Sequence, residues 1–106
     1  MNNHIRLTQK EQEIICTTFH KYFAQSDHLW LFGSRVDLKK KGGDIDLYIE
    51  TKESDVKCVV NKKIAFVNEL WVQLGEQKID VVLHLLSSSE HLTIYDIAKA
   101  EGCLLV

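Results

Sequence analysis

The sequence predicts an α+β domain, a small mixed β-sheet with helices packed on one face. Three observations carry this expectation. Short apolar runs of strand character are interspersed with longer segments of helical periodicity, in the order helix, strand, strand, helix, strand, helix. One strand-like segment alternates strictly between polar and apolar residues, the pattern of a strand packed on one face and open on the other. The 106 residues suffice for one modest core and not two, so residues 1–106 read as a single domain.

Thr8 to Glu11 reads T-x-x-E, a capping box that starts a helix at Thr8. Ile14, Ile15, Phe19, Tyr22 and Phe23 then recur at helical spacing and carry that helix to about Gln25. "HLWLF" (His28 to Phe32) reads as a buried strand ending at Gly33. In "DIDLYIE" the residues Asp44, Asp46, Tyr48 and Glu50 share one face, and Ile45, Leu47 and Ile49 the other. A long helix is expected from about Asp55 to Leu74, with Val56, Val60, Ile64, Val67, Trp71 and Leu74 as its core stripe and Gly75 as its stop. "KIDVVLHL" is the third strand, with Ile79, Val81 and Leu83 packed and Asp80, Val82 and His84 opposite. A Ser-x-x-Glu box (Ser87 to Glu90) opens a third helix that closes at Gly102. The final "CLLV" fits either a short strand or a packed tail. With all helices on one face, the acidic sides of the second and third strands stay uncovered. Trp30 and Trp71 are expected in the core.

Composition removes several classes. A net charge of −2 argues against a general nucleic-acid binder but leaves room for a nucleotide, which needs only local charge. The start "MNNHIRLTQK" lacks a basic segment followed by an apolar run, and no apolar run reaches the roughly 20 residues of a membrane helix. Cys16, Cys58 and Cys103 have no metal-ligand spacing and sit among apolar neighbours. Reduced, buried thiols in a cytoplasmic protein are therefore expected.

The chemistry concentrates in "GSRVDLKKKGGDID", Gly33 to Asp46. Side chains at i and i+2 of a strand lie about 6.6 Å apart on one face, so Asp44 and Asp46 can converge on a hard cation such as Mg²⁺. Asp80 faces the same way on the third strand. If the two strands are neighbours, three carboxylates meet, and a site of this kind can hold two metals about 3.5–4 Å apart for phosphoryl or nucleotidyl transfer. Gly33 and Ser34, at a strand end, can offer free backbone amides and a hydroxyl to an anion. Arg35 reads equally as a phosphate-binding fork or an ordinary surface cation. Lys39 to Lys41 read as a solvated loop that could also attract a triphosphate, and Gly42 and Gly43 give the backbone freedom before the acidic strand. Taken singly, each feature has a bland reading: a solvated strand face, a plain turn, a strand-edge carboxylate at Asp80. Their joint order, facing and spacing favour the site.

On these residues the chain resembles the nucleotidyltransferase superfamily of DNA polymerase β, in its minimal branch. The superfamily pattern is an apolar residue, Gly, Gly or Ser, a spacer, then Asp-x-Asp, with a third carboxylate on a later strand. Phe32, Gly33, Ser34, Asp44, Asp46 and Asp80 match it. Many minimal members have a longer spacer carrying a basic residue and a glycine soon after Gly-Ser-Arg, where this chain has Asp37 and Leu38.

The resemblance implies a polymerase β-like fold with Asp44, Asp46 and Asp80 as metal ligands and catalytic residues, and Gly33, Ser34 and Arg35 binding nucleotide. It also implies Mg²⁺ (two ions), ATP as substrate, and a HEPN-domain toxin-like protein as partner. The expected function is that of an antitoxin transferring AMP from ATP to a hydroxyl, a tyrosine, of that toxin. Asp80 would also serve as general base for that hydroxyl. Two other readings stand beside it, a non-catalytic module that neutralises its partner by docking and a small-molecule transferase of aminoglycoside type. No membrane and no nucleic-acid partner is expected, and a homo-oligomer is left open.

Overall fold

A capping box starts the first helix. Thr8 Oγ1 accepts the Glu11 amide at 3.0 Å while the Glu11 carboxylate accepts the Thr8 amide at 2.9 Å, satisfying two donors that a helix start leaves unpaired. In the computed structural model, which describes residues 5–36, 43–75 and 77–106, α1 spans Gln9–Tyr22. It stops short of Gln25 because Phe23 turns to extended geometry and packs its ring on Phe19 and Phe66. Buried Asp27 ties the following turn to the far end of the sheet, accepting the Thr51 hydroxyl at 2.9 Å and the amides of Ala24 and Lys52 at 3.1 Å.

The strands are β1 (His28–Phe32), β2 (Ile45–Thr51), β3 (Ile79–Leu85) and β4 (Cys103–Leu104). A short 3-10 turn, Gly33–Val36, follows β1. The remaining helices are α2 (Val56–Leu74) and α3 (Thr93–Glu101). The described residues form a mixed sheet of order β3-β2-β1-β4, in which β1 and β2 are antiparallel, β2 and β3 parallel, and β4 antiparallel to β1. The closing "CLLV" is thus a strand, continued by Leu105 and Val106, whose amides donate to Leu29 O. Among the described residues no helix is long and apolar enough to cross a membrane.

The main core lies between one sheet face and the α1–α2 pair, around Leu29, Leu31, Leu47, Ile49, Phe19 and Phe66. The expectation of helices on one face only needs correction. On the opposite face α3 lays Tyr95 and Ala98 over Phe32 and Tyr48, and a second apolar cluster forms there. Tyr48 is fully buried and Glu50 is 8% exposed, so this side of β2 is open at its start and covered at its end. The alternation concealed this because Tyr48 and Glu50 are polar by type, yet their polar atoms find partners inside the protein.

Three further expectations change. α2 buries Val59, Phe66 and Leu70, whereas Val56, Val60, Ile64 and Trp71 of the expected stripe are exposed. Both sets have helical spacing, so periodicity could not choose between them. Contact with α1, through Phe19 packed edge-on against Phe66 at 6.0 Å, decides. The third helix begins at Thr93, because the residues of the expected box are engaged otherwise, Ser88 N closing a turn onto Leu85 O and Glu90 N donating to Ser88 Oγ. Cys16, Cys58 and Cys103 are half-buried rather than enclosed. Gly75 and Gly102 end their helices as expected, Gly75 in the left-handed region at φ 83.

The two α2 faces should separate in stability measurements. Phe66→Ala is expected to cost about 3–5 kcal/mol and Val60→Ala less than about 0.5 kcal/mol, read as shifts in the urea midpoint at constant slope.

Candidate active site

Strand register assembles the acidic group. Parallel pairing of β2 with β3 sets Asp46 opposite Asp80, and Asp44 stands one residue before β2 begins. Ligand oxygens of all three carboxylates lie within 4.8 Å of one another, with Asp44 and Asp46 half-buried and Asp80 exposed. The same register on the other side of β2 pairs Asp46 with Phe32, which delivers Gly33 to the carboxylates. Gly33 has φ 76 and lies so close to Asp46 that a Cβ would collide with its Oδ2. Glycine is required there twice over, for its backbone angle and for this approach.

The turn after Gly33 is braced from outside. Arg6 N donates to Arg35 O at 2.7 Å and Arg6 Nη2 to Ser34 O at 2.8 Å. The Ser34 hydroxyl lies against Gly43, whose φ is 92 and whose Cβ position it fills. Arg35 turns its guanidinium to the protein itself, donating to Arg6 O at 2.8 Å, Gln77 Oε1 at 3.3 Å and Gly43 O at 3.4 Å. Its fork joins the N-terminal segment, the end of the loop and the approach to β3. Asp37, Leu38, Lys39, Lys40, Lys41 and Gly42 lie outside the described residues.

The electrostatics follow from the gathering. Burial, then Asp80, then Asp44 push the Asp46 carboxyl above its ordinary value, with Lys78 opposing. Lys78 Nζ sits 3.6 Å from Asp44 Oδ2 in a solvated pair, so it offsets only part of the repulsion. Three hard oxygen donors with a shortage of positive charge match the donor set of a hard divalent cation such as Mg²⁺, and the residues present fit that ion. Beside the site, between α2 and the start of β3, lies a groove of about 360 Å³ that includes Ile64, Val67, Trp71 and Asp80.

Deeper along the same face is a polar network whose members the sequence placed on the uncovered acidic face without assigning them a role. Tyr48 Oη donates to Glu50 Oε2 at 2.7 Å. Burial, then that carboxylate, hold the phenol far above its ordinary value, so it remains protonated. Its one proton being spent, it accepts from His84 Nδ1, also at 2.7 Å. His84 stacks on Tyr95 of α3 with centroids 3.9 Å apart, and Lys99 Nζ reaches Glu50 Oε2 at 3.0 Å. Burial alone would raise the Glu50 carboxyl. The Tyr48 hydroxyl, the Lys99 ammonium and His84 outweigh it and hold Glu50 below the carboxylate range. A polar pair at i, i+2 beside an aromatic-bearing helix was the available signal.

The sequence matches no protein-family model, and no curated protein is significantly similar to it.

Three outcomes test this electrostatic account. Removing one carboxylate relieves repulsion, so in chelator at low salt Asp46→Asn is expected to raise the melting temperature by about 1–4 °C. Adding Mg²⁺ is expected to raise the melting temperature of the wild type and leave that variant unmoved. Glu50 works with the opposite sign. Its folded value is depressed, so its stabilisation is present above the unfolded carboxylate pKa and is lost as pH falls through the folded one. Glu50→Gln is expected to flatten the acid limb of stability against pH, measured by urea unfolding.

Proposed function

We propose that this chain is a Mg²⁺-dependent nucleotidyltransferase of the minimal, polymerase β-like kind, which moves AMP from ATP to a protein hydroxyl. The observation that carries the reading is the convergence of Asp44, Asp46 and Asp80 beside the glycine turn at Gly33. Asp44 and Asp46 hold Mg²⁺, with Asp80 as the third ligand. Bound there, two such ions would supply the positive charge that neutralises the triphosphate and polarises the α-phosphorus.

The remaining work belongs to the chain. Gly33 and Ser34 cradle the phosphates, and Arg35 keeps that turn in place through its three internal hydrogen bonds. The acceptor oxygen bonds to the α-phosphorus as the bridging P–O bond to the β-phosphate breaks. Pyrophosphate departs with that electron pair, and the hydroxyl proton passes to Asp80, the exposed member of the three. Positioning and charge neutralisation do most of the catalysis. Following the resemblance, the acceptor is a tyrosine of a HEPN-domain toxin-like partner, and the transfer is an antitoxin activity in the cytoplasm.

Because the resemblance implies a HEPN-domain partner of the kind often encoded beside minimal nucleotidyltransferases, purified protein, ATP, Mg²⁺ and the product of the adjacent gene should yield AMP mass increments on that product. Asp44→Asn is expected to reduce the label at least 100-fold. Unchanged labelling in the variant overturns the mechanism. Full suppression of the toxin by Asp44→Asn at equal dose selects docking without transfer. Modification of an aminoglycoside without any partner selects the small-molecule reading.

A further inference from the structure

Among the described residues, one side of β3 has no partner strand. Ile45 N donates to Lys78 O and Leu86 N to Thr51 O, so the even-numbered residues of β3 turn their backbone groups toward β2. Ile79, Val81, Leu83 and Leu85 therefore turn theirs to the outer edge. Much of that edge is already closed. Leu85 O accepts Ser88 N at 2.9 Å, and Leu83 O accepts the Tyr95 hydroxyl at 3.3 Å. Just before the strand, Gln77 O accepts the Trp71 indole N–H at 2.8 Å. Between these closures Ile79 and Val81 keep both N–H and C=O without a partner among the described residues.

This gap opens into the groove of about 360 Å³, whose other wall is α2 with Ile64, Val67, Asn68 and Trp71. Unpaired groups on a strand edge invite a partner. A peptide strand commonly runs about 5–6 residues, however, and the gap spans only Ile79 to Val81. A small flat molecule fits better. The groove lies toward the lower end of small-molecule sites, about 300–1,000 Å³, and has their composition, an apolar body with a few polar groups that fix orientation. Those polar groups come as donor–acceptor pairs. Val81 offers N–H beside C=O, and across the groove Asn68 offers a carboxamide that no described residue engages. A nucleobase has the matching form, an edge with donor beside acceptor and a ring that stacks on aromatic side chains. Trp71 supplies the aromatic surface, its indole kept from turning by the bond to Gln77. Asp80 also lines the groove, so a base seated there leads through its sugar toward the three carboxylates.

We propose that the α2–β3 groove binds a nucleobase, with its ring against Trp71 and its edge on the Val81 backbone and the Asn68 carboxamide. Seating of the base rests on the groove alone; its continuity with Mg²⁺-bound phosphates, which makes the base adenine, rests on the nucleotidyltransferase reading.

Adenosine in chelator serves as probe, with amide shifts followed by NMR and affinity by calorimetry. The Ile79 and Val81 amides are expected to shift, and the fluorescence of Trp30→Phe, which reports Trp71, to change in step. Trp71→Ala is expected to weaken adenosine binding at least about fivefold. N1-methyladenosine, whose pairing edge is blocked, should bind at least about fivefold more weakly than adenosine. Val72→Ala, at a position 84% exposed and outside the groove, is expected to change nothing. Mg²⁺ with ATP should bind more tightly than adenosine, and Asp44→Asn should remove that difference while keeping adenosine binding. No adenosine binding at millimolar concentration, or binding that leaves the Val81 amide unmoved or is indifferent to Trp71→Ala, overturns the base site. Mg²⁺-dependent ATP binding with the groove amides unmoved also overturns it and leaves the nucleotidyltransferase reading standing. Adenosine in the groove with no added affinity for ATP and Mg²⁺ supports the base site and removes only the link to the carboxylates.

Discussion

The parallel pairing of β2 with β3 is the constraint on which the rest depends. It sets Asp46 against Asp80, and the same strand's antiparallel partner sets Phe32 against Asp46. One β2 residue is thus the meeting point of two strand pairings and the glycine turn. Side chains alternate with period two, so a one-residue slip of β3 would turn Asp80 into the α1–α2 core and bring Ile79 or Val81 out beside Asp46. Both consequences are costly. The apolar alternation that builds the core therefore also enforces the acidic register, and the fold protects the site without any interaction dedicated to it.

The face bearing the carboxylates is divided lengthwise. At the start of β2 it is open and strongly acidic; toward the end it is roofed by α3. The roof is held by apolar contact and by interlocking polar groups, with Glu50 taking hydrogen bonds from Tyr48 and Lys99. Lys99 also lies over the Trp30 ring at 5.4 Å. A buried carboxylate would be a liability without these partners, and among the described residues no buried side-chain nitrogen or oxygen lacks one. The strand carrying Asp46 is thereby gripped on both faces a few residues away, which limits the freedom of its carboxylate.

Much of this was legible before any coordinates. The three principal strands and the two glycine helix ends fell where alternation and punctuation placed them, because period two is a local property and so is the left-handed φ of Gly75, while Gly102 is extended and needs glycine for its close approach to the Ala98 and Leu31 carbonyls. The acidic constellation was legible for the same reason, since facing follows from parity once the strands are found. Tertiary choices were not. α2 has two apolar sets at helical spacing, and packing against Phe19 and Phe23 determines that Phe66 goes in and Ile64 stays out. Tyr48 and Glu50 read as solvent-facing because their partners, His84 and Lys99, are 36 and 49 residues away, distances at which sequence pattern carries no information. Arg35 read as equally suited to phosphate or solvent, and its three internal acceptors come from separate segments.

The two tryptophans lie on opposite sides of the sheet, Trp30 beneath Lys99 and Trp71 in the α2 groove. Their indoles consequently sample separate environments, one governed by the seating of α3 and the other by whatever approaches Asp80. Replacing either with phenylalanine leaves a single tryptophan, which can be excited apart from the three tyrosines, so the protein contains a distinct optical reporter for each side and events on the two can be followed without an added dye.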